Sequence, residues 1–155
     1  MLNLVKRRIM ENQNKYYTPD ISELFNDFEY EYFQGDKWNT EGFTIYSPVL
    51  VKDVLDRLKL GMVRVKYLDS QDIEECGFNI FEKESLYSPN AISYHKKHGF
   101  GEFYIEYIDY DYPTRITYKR NNERFEYCMF EGFIKNKSEL KKLLKQLGIY
   151  EKTDK

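Results

Sequence analysis

The sequence predicts an α+β fold, in which a curved, mainly antiparallel sheet of five to seven strands is packed by two or three helices in a single domain. Three observations lead to this class. The 155 residues are the length of one ordinary domain. Aromatic residues make up 17% of the chain and alanine occurs once, at Ala91, a balance that favours strands over helices. Hydrophobic residues, at 41%, supply enough apolar side chain for one core, which argues against a disordered chain.

We expect one domain with loose ends. Residues 1–15 are interpreted as a short helix or arm without a clear cap, 16–150 as the domain, and 151–155 as a frayed tail. No apolar run is long enough to span a bilayer and no signal-peptide pattern is visible, so we expect a cytoplasmic protein. The two cysteines, Cys76 and Cys128, fit a reducing compartment better than a disulfide framework.

The first half of the chain combines strands with one clear helix. From Phe28 to Phe33, aromatic residues alternate with glutamates, which indicates a half-buried strand, and a returning strand is expected over 38–46. Ser47 and Pro48 suit the N-cap and the first turn of a helix, and apolar residues then recur at helical spacing. We therefore expect a helix over 48–59, a strand over 62–68 and a capped helical turn over 69–76.

The second half consists of short aromatic strands separated by polar turns. Strands are expected near 78–83, 91–96, 102–110, 114–120 and 124–134. A last helix is expected over 138–147, capped by Ser138 and ended by Gly148, because its leucines fall on one face. We expect this helix and the 48–59 helix to cover one face of the sheet.

The stretch from Glu102 to Tyr112 combines four acidic residues with four tyrosines and contains no basic residue. Side chains alternate along a strand, so Phe103, Ile105 and Tyr107 are predicted to face the core. Acidic residues interleaved with tyrosine are typical of contact surfaces, although the same pattern also fits a plain solvent face. A partner-binding patch is therefore predicted at Glu102, Tyr104, Glu106, Asp109 and Tyr110.

A metal site is an alternative hypothesis. Glu29 and Glu31 fall on one face of a strand, and paired carboxylates can bind Mg²⁺ or act as acid and base. His95 and His98 could share a zinc ion if their segment were helical, but the pattern of a strand entering a turn points them to opposite faces. The simpler interpretation is a solvated sheet face and two exposed histidines, and no cofactor is expected.

Charge and motifs exclude some classes of function. The net charge of −2 argues against the whole chain as a nucleic-acid binder, and no glycine-rich phosphate loop occurs. The charge is uneven, however. Six acids and no Lys or Arg fall between Tyr16 and Asp36, and five lysines fall between Lys135 and Lys145. Cys128 lies among bulky apolar residues and has no histidine beside it in sequence, so we expect it to be buried and unreactive.

Short motifs at 16–21, 28–31, 64–69, 72–74 and 134–140 read Tyr-Tyr-Thr-Pro-Asp-Ile, Phe-Glu-Tyr-Glu, Arg-Val-Lys-Tyr-Leu-Asp, Asp-Ile-Glu and Ile-Lys-Asn-Lys-Ser-Glu-Leu. Together, over roughly residues 16–147, they resemble a group of short uncharacterised proteins encoded by tailed phages and prophages of AT-rich gut bacteria. The resemblance implies a phage context, in which the host cytoplasm would be the location. It implies no mechanism, because that group has no assigned activity.

The expected function is that of a phage-encoded accessory protein that binds a host or phage macromolecule, with a protein as the expected partner. Neither nucleic acid nor a membrane is expected as a partner. Two alternatives stay open, a small metal-dependent hydrolase or nucleotide-handling enzyme, and a minor virion component. The oligomeric state also stays open.

Overall fold

The computed structural model describes residues 15–81 and 88–149. The chain forms two compact units, Met1–Tyr67 and Leu68–Lys155. The α+β class and the antiparallel pairing are confirmed. The strands divide between a four-stranded and a five-stranded sheet, however, instead of the one curved sheet that was expected. Alternation along a strand reveals its two faces and says nothing about its neighbours, which is why the division is invisible in the sequence.

The first unit contains β1 (Tyr16–Tyr17), β2 (Glu29–Gln34), β3 (Lys37–Gly42), α1 (Pro48–Lys59) and β4 (Val63–Lys66), with a 3-10 turn at Ile21–Glu23. The strand order is β1-β4-β2-β3, and all neighbours are antiparallel. Helix α1 begins as predicted, because the Ser47 side chain accepts a hydrogen bond from the Leu50 amide. The returning strand ends at Gly42, four residues before the predicted boundary, and the next residue, Phe43, is buried.

The core of the first unit lies between this sheet and α1. It contains Phe28, Tyr30, Phe43, Val54, Val63 and Val65. Tyr30 donates a hydrogen bond from its hydroxyl to Glu41 over 3.0 Å. Burial and this contact raise the pKa of Tyr30.

The second unit contains α2 (Ser70–Glu75), β5 (Asn79–Phe81), β6 (Ile92–His98), β7 (Gly101–Tyr107), β8 (Thr114–Arg120), β9 (Tyr127–Gly132) and α3 (Lys137–Gln146). The five strands follow one another across the sheet in chain order, so each pairs with its sequence neighbour. All five predicted strands occur. Three predicted segments lie wholly or partly outside the described residues: positions 82–83 of the first of these strands, residues 1–14 of the arm predicted over 1–15, and the tail over 151–155.

Helix α3 supplies one side of the second core. Leu140, Leu144 and the following Ile149 are fully buried against residues of the sheet such as Tyr94 and Ile105. The helix begins one residue before the predicted start, because Asn136 and not Ser138 is the N-cap. The Asn136 side chain accepts a hydrogen bond from the Glu139 amide over 3.0 Å.

Lys96 of β6 forms hydrogen bonds with backbone carbonyls at the C-terminal ends of two helices. Its ammonium group donates to the carbonyl of Cys76, at the end of α2, over 3.3 Å, and to the carbonyl of Ile149, just after α3, over 3.5 Å. A cation at the end of a helix also interacts favourably with the helix dipole. Within the described residues, no helix is long and apolar enough to cross a membrane.

Candidate functional site

Strand β7 has the two faces that its sequence predicts. Phe103, Ile105 and Tyr107 are at most 5% exposed and belong to the core of the second unit. Glu102, Tyr104 and Glu106 lie half-buried on the opposite, outer face of the sheet. The structure thus brings three of the five predicted partner-binding residues together on one face.

Tyr104 is less available for contact with a partner than the sequence suggests. Its hydroxyl donates a 2.7 Å hydrogen bond to the Glu102 carboxylate. Its ring packs edge-on against Phe81, with centroids 5.5 Å apart, and stacks with His95 at 6.5 Å. Burial and the nearby carboxylate raise the pKa of Tyr104 to about 12. This tyrosine therefore holds part of the outer face together.

The predicted acidic patch is a face of mixed charge. Glu102 pairs in register with Lys97 on one side and Lys119 on the other. Glu106 pairs with Arg115 of β8. Directly opposite residues have Cβ atoms about 5 Å apart, so each glutamate lies beside a cation. The stretch 102–112 is acidic in sequence, but its neighbours across the sheet compensate it, and no local pattern could have revealed them.

The other two predicted partner-binding residues lie beyond the end of β7. Asp109 and Tyr110 are half-buried in the loop to β8. The Asp109 side chain accepts a hydrogen bond from the Asp111 amide over 2.8 Å, which shapes this turn. Tyr112, next in the loop, is 53% exposed.

The first pair of predicted metal ligands is engaged within the first sheet. The Glu31 carboxylate lies 2.6 Å from Nε of Arg64. The Arg64 guanidinium in turn lies 3.8 Å from the ring centroid of Tyr16 and 4.0 Å from that of Trp38. Glu29 lies on the same face and is also engaged by a neighbour.

The second pair belongs to the second unit, on β6. His95 lies on the outer face, where its ring centroid is 5.0 Å from that of Phe81 and its Nδ1 is 3.8 Å from the Glu102 carboxylate. His98 lies on the other face, beside the core residue Phe103. The two histidines therefore point to opposite faces, as expected for a strand. In residues 15–81 and 88–149, no group of three or more His, Cys, Asp and Glu side chains is placed to hold a metal ion.

The two cysteines differ in a way that the sequence did not indicate. Cys76 is buried at the end of α2, and burial raises the pKa of its thiol. Cys128 is exposed, contrary to the expectation from its apolar neighbours. The reason is that β9 is an edge strand, so large residues beside Cys128 in sequence do not enclose it.

Large apolar side chains along this edge of the sheet are exposed, which the apolar pattern of the sequence did not indicate. Four large side chains along β9 and its flanks are exposed by 43–76%. We call these four exposed side chains, together, the β9 apolar edge; they are Phe125, Tyr127, Met129 and Phe133. Because β9 pairs with β8 alone, no further described strand covers it. The only local signal was the density of apolar residues in 125–133, which fits a buried strand equally well.

Comparisons with protein-family models, with curated proteins and with solved structures gave no match to this chain. The resemblance to phage and prophage proteins therefore stays a prediction.

Proposed function

We propose that this chain is a phage-encoded accessory protein that acts by binding a host or phage protein in the host cytoplasm. The observation that supports binding is the β9 apolar edge. Phe125 is 76% exposed, Phe133 65%, Tyr127 49% and Met129 43%. Single exposed apolar residues are ordinary, but four within the nine residues 125–133 along one edge of a sheet favour a surface that another molecule covers.

The composition of this edge suits a protein partner. Tyr, Phe and Met are enriched at the centres of protein interfaces, where Lys and Glu are depleted. Aromatic anchors also contribute most of the binding free energy in such interfaces. The acidic and tyrosine-rich face of β7 is a weaker candidate for the same role, because Tyr104 packs within the sheet and its glutamates face cations.

The partner is expected to contact the side chains of the edge and not to add a regular strand. Ile116 pairs with Phe130 and Thr117 with Cys128, so Met129 is an extra residue in β9. Such a bulge bends and twists a strand, and it interrupts the regular spacing that a further strand would need.

Site-specific photo-cross-linking tests the proposal. A benzophenone amino acid replaces Phe125 or Met129 in separate variants, expressed in living bacterial cells. The matched control places the same group at Tyr46, which is 81% exposed in the first unit. We expect both β9 positions to cross-link to the same protein, which the control does not capture.

A second substitution makes the result specific. Met129→Glu, introduced into the variant that carries the cross-linker at position 125, puts a charge in the middle of the apolar edge. We expect at least a tenfold loss of the cross-linked product, because a buried charge in an interface is costly. Equal cross-linking from position 46, or a product that survives Met129→Glu, would contradict the proposal.

A further inference from the structure

The β9 apolar edge continues into one end of the second sheet, where two hairpin turns lie side by side. The turn between β6 and β7 is the two-residue loop Gly99-Phe100, in which Gly99 has a φ of +59°. The turn between β8 and β9 begins at Asn121, whose amide donates to the Phe100 carbonyl over 3.0 Å. A hydrogen bond thus joins two turns that are far apart in sequence.

Phe100 has no visible part in holding this turn. Phe100 is 88% exposed, the highest value among the large apolar residues of 15–81 and 88–149. The two central positions of such loops are usually glycine or a small polar residue, because the tip faces water. Phe125 follows the second turn and is 76% exposed. Two uncovered phenylalanines therefore lie at the same end of the sheet.

Cationic residues occur on the strands and turns next to these two phenylalanines. Gly101, beside Phe100, pairs in register with Arg120, and the neighbouring Glu102 pairs with Lys119. Lys97 and Arg124 are exposed on the flanking strand and turn. We call this surface the hairpin end; it consists of Lys97, Phe100, Lys119, Arg120, Arg124 and Phe125.

The hairpin end has the opposite sign to the whole protein. Its four cations exceed its three carboxylates, Glu102, Glu123 and Glu126, by one, while the chain as a whole carries a net charge of −2. Glu102 accepts the hydrogen bond of Tyr104, and Glu123 lies 3.3 Å from the Arg120 guanidinium. The side chain of Arg120 is nevertheless 65% exposed. Charge complementarity therefore favours an acidic ligand here.

We propose that the hairpin end binds an acidic segment of a partner protein, with Phe100 and Phe125 contacting apolar residues that alternate with the acids. The inference rests on the proposed function and specifies the chemistry of the partner at the basic end of the same surface. Phenylalanines supply apolar contact area, and the arginines and lysines select carboxylates and repel a basic segment.

Three synthetic peptides of equal length test it on the intact protein. One alternates Glu with Leu and Phe, the second has Lys in place of each Glu, and the third keeps Glu but has Ser in place of each apolar residue. Binding is followed residue by residue in the nitrogen–proton correlation NMR spectrum. We expect the acidic apolar peptide to shift the amide signals of Phe100, Asn121 and Phe125, the basic one to shift none, and the acidic polar one to bind about tenfold more weakly.

A charge swap provides the decisive control. Arg120→Glu with Arg124→Glu is expected to abolish binding of the acidic apolar peptide and to create binding of the basic one. Lys59→Glu is the matched variant, because Lys59 is an exposed lysine of the first unit, and it should leave both affinities unchanged. Phe100→Ser should weaken binding of the acidic apolar peptide about tenfold, whereas Tyr46→Ser should leave that binding unchanged.

Several outcomes would overturn the inference. Three concern the peptides: the basic peptide binds equally well, the acidic apolar peptide does not bind, or the shifted amide signals belong to other residues only. The fourth is self-association that depends on Phe100 in sedimentation, which would make a second copy of the chain the occupant. The proposed function fails separately, if the cross-link at position 125 survives Met129→Glu. Peptide binding at the hairpin end with such a cross-link would leave this inference standing alone.

Discussion

Both units carry aromatic residues and an arginine on their surface, but only in the first unit do the arginine and the rings contact each other. In the first unit, the Arg64 guanidinium lies within 4.0 Å of the ring centroids of both Tyr16 and Trp38, and both rings are half-buried. In the second unit, Arg120 turns to Glu123, and Phe100 and Phe125 stay uncovered. The difference teaches that an aromatic residue near a cation in sequence points to a partner-binding surface only where no residue of the same protein covers the ring.

The largest expected effect on stability comes from opening a cavity in the core of the second unit, the unit that carries the hairpin end. Ile105 is fully buried in β7, and Ile105→Ala should lower the free energy of unfolding by about 2–5 kcal/mol, through lost burial and the cavity left behind. Denaturant unfolding followed by circular dichroism measures this change. Ile80→Ala, at a residue 55% exposed on the edge strand β5, should cost far less. Equal losses for the two variants would mean that the core is wrongly placed.

The next effect tests whether Arg64 holds the surface of the first unit together. Arg64→Ala removes two cation–π contacts and leaves Glu31 without its partner, so we expect a loss of about 1–2 kcal/mol. Trp38 is the only tryptophan, so its fluorescence reports the transition directly. Lys59→Ala is the control, because its ion pair with Asp56 is exposed at 3.7 Å. An unchanged midpoint for Arg64→Ala would remove the contrast between the two units.

A substitution on the outer face of the second sheet, Tyr104→Phe, should have an intermediate effect on stability, and this effect should depend on pH. The pKa of Tyr104 is raised from 10.0 to about 12, so its contribution to stability is complete below pH 10 and is lost as the pH rises through 12. Tyr104→Phe removes the hydrogen bond to Glu102 and should cost about 1 kcal/mol at neutral pH.

Unfolding at a series of alkaline pH values measures this dependence. The stability of Tyr104→Phe should fall less steeply between pH 10 and 12 than that of the wild type, and the two curves should converge. Tyr112→Phe, in the exposed part of the β7–β8 loop, is the control and should follow the wild type. Parallel curves for Tyr104→Phe and the wild type would show that this tyrosine does not stabilise the face.

The smallest expected effect concerns the uncovered rings themselves. Phe100→Ser and Phe125→Ser should each change the free energy of unfolding by less than about 0.5 kcal/mol, because neither side chain is packed. The measurement is the same denaturant transition. A loss as large as that of Arg64→Ala would show that these rings support the fold and are not available to a partner.

Periodicity predicted most of the elements because it is a local property. The alternation of β7 correctly placed Phe103, Ile105 and Tyr107 in the core, and Ser47-Pro48 marked the start of α1. The division into two sheets was not predicted, because it depends on which strands pair. The boundary of β3 was also misplaced, since Phe43 is buried in the core without continuing the strand.

The candidate site was less predictable for the same reason. The charges that compensate Glu102 and Glu106 come from neighbouring strands, and the exposure of Cys128 follows from the edge position of β9. A hydrogen bond joins the turn that holds Phe100 to the turn that precedes Phe125. Each of these facts depends on register or on strand order, and neither has a signature within a short window of sequence.

The position of α3 at the end of the second unit has a consequence for synthesis on the ribosome. The strands of the first sheet are all contained in the chain up to Tyr67, whereas the second core needs Leu140, Leu144 and Ile149. Chains emerge at about 5–20 residues per second, so for several seconds the nascent second sheet lacks its covering helix. During that interval its apolar face is open to water and to chaperones. We expect ribosome-bound chains that stop before α3 to be cut by protease within the second unit and protected within the first.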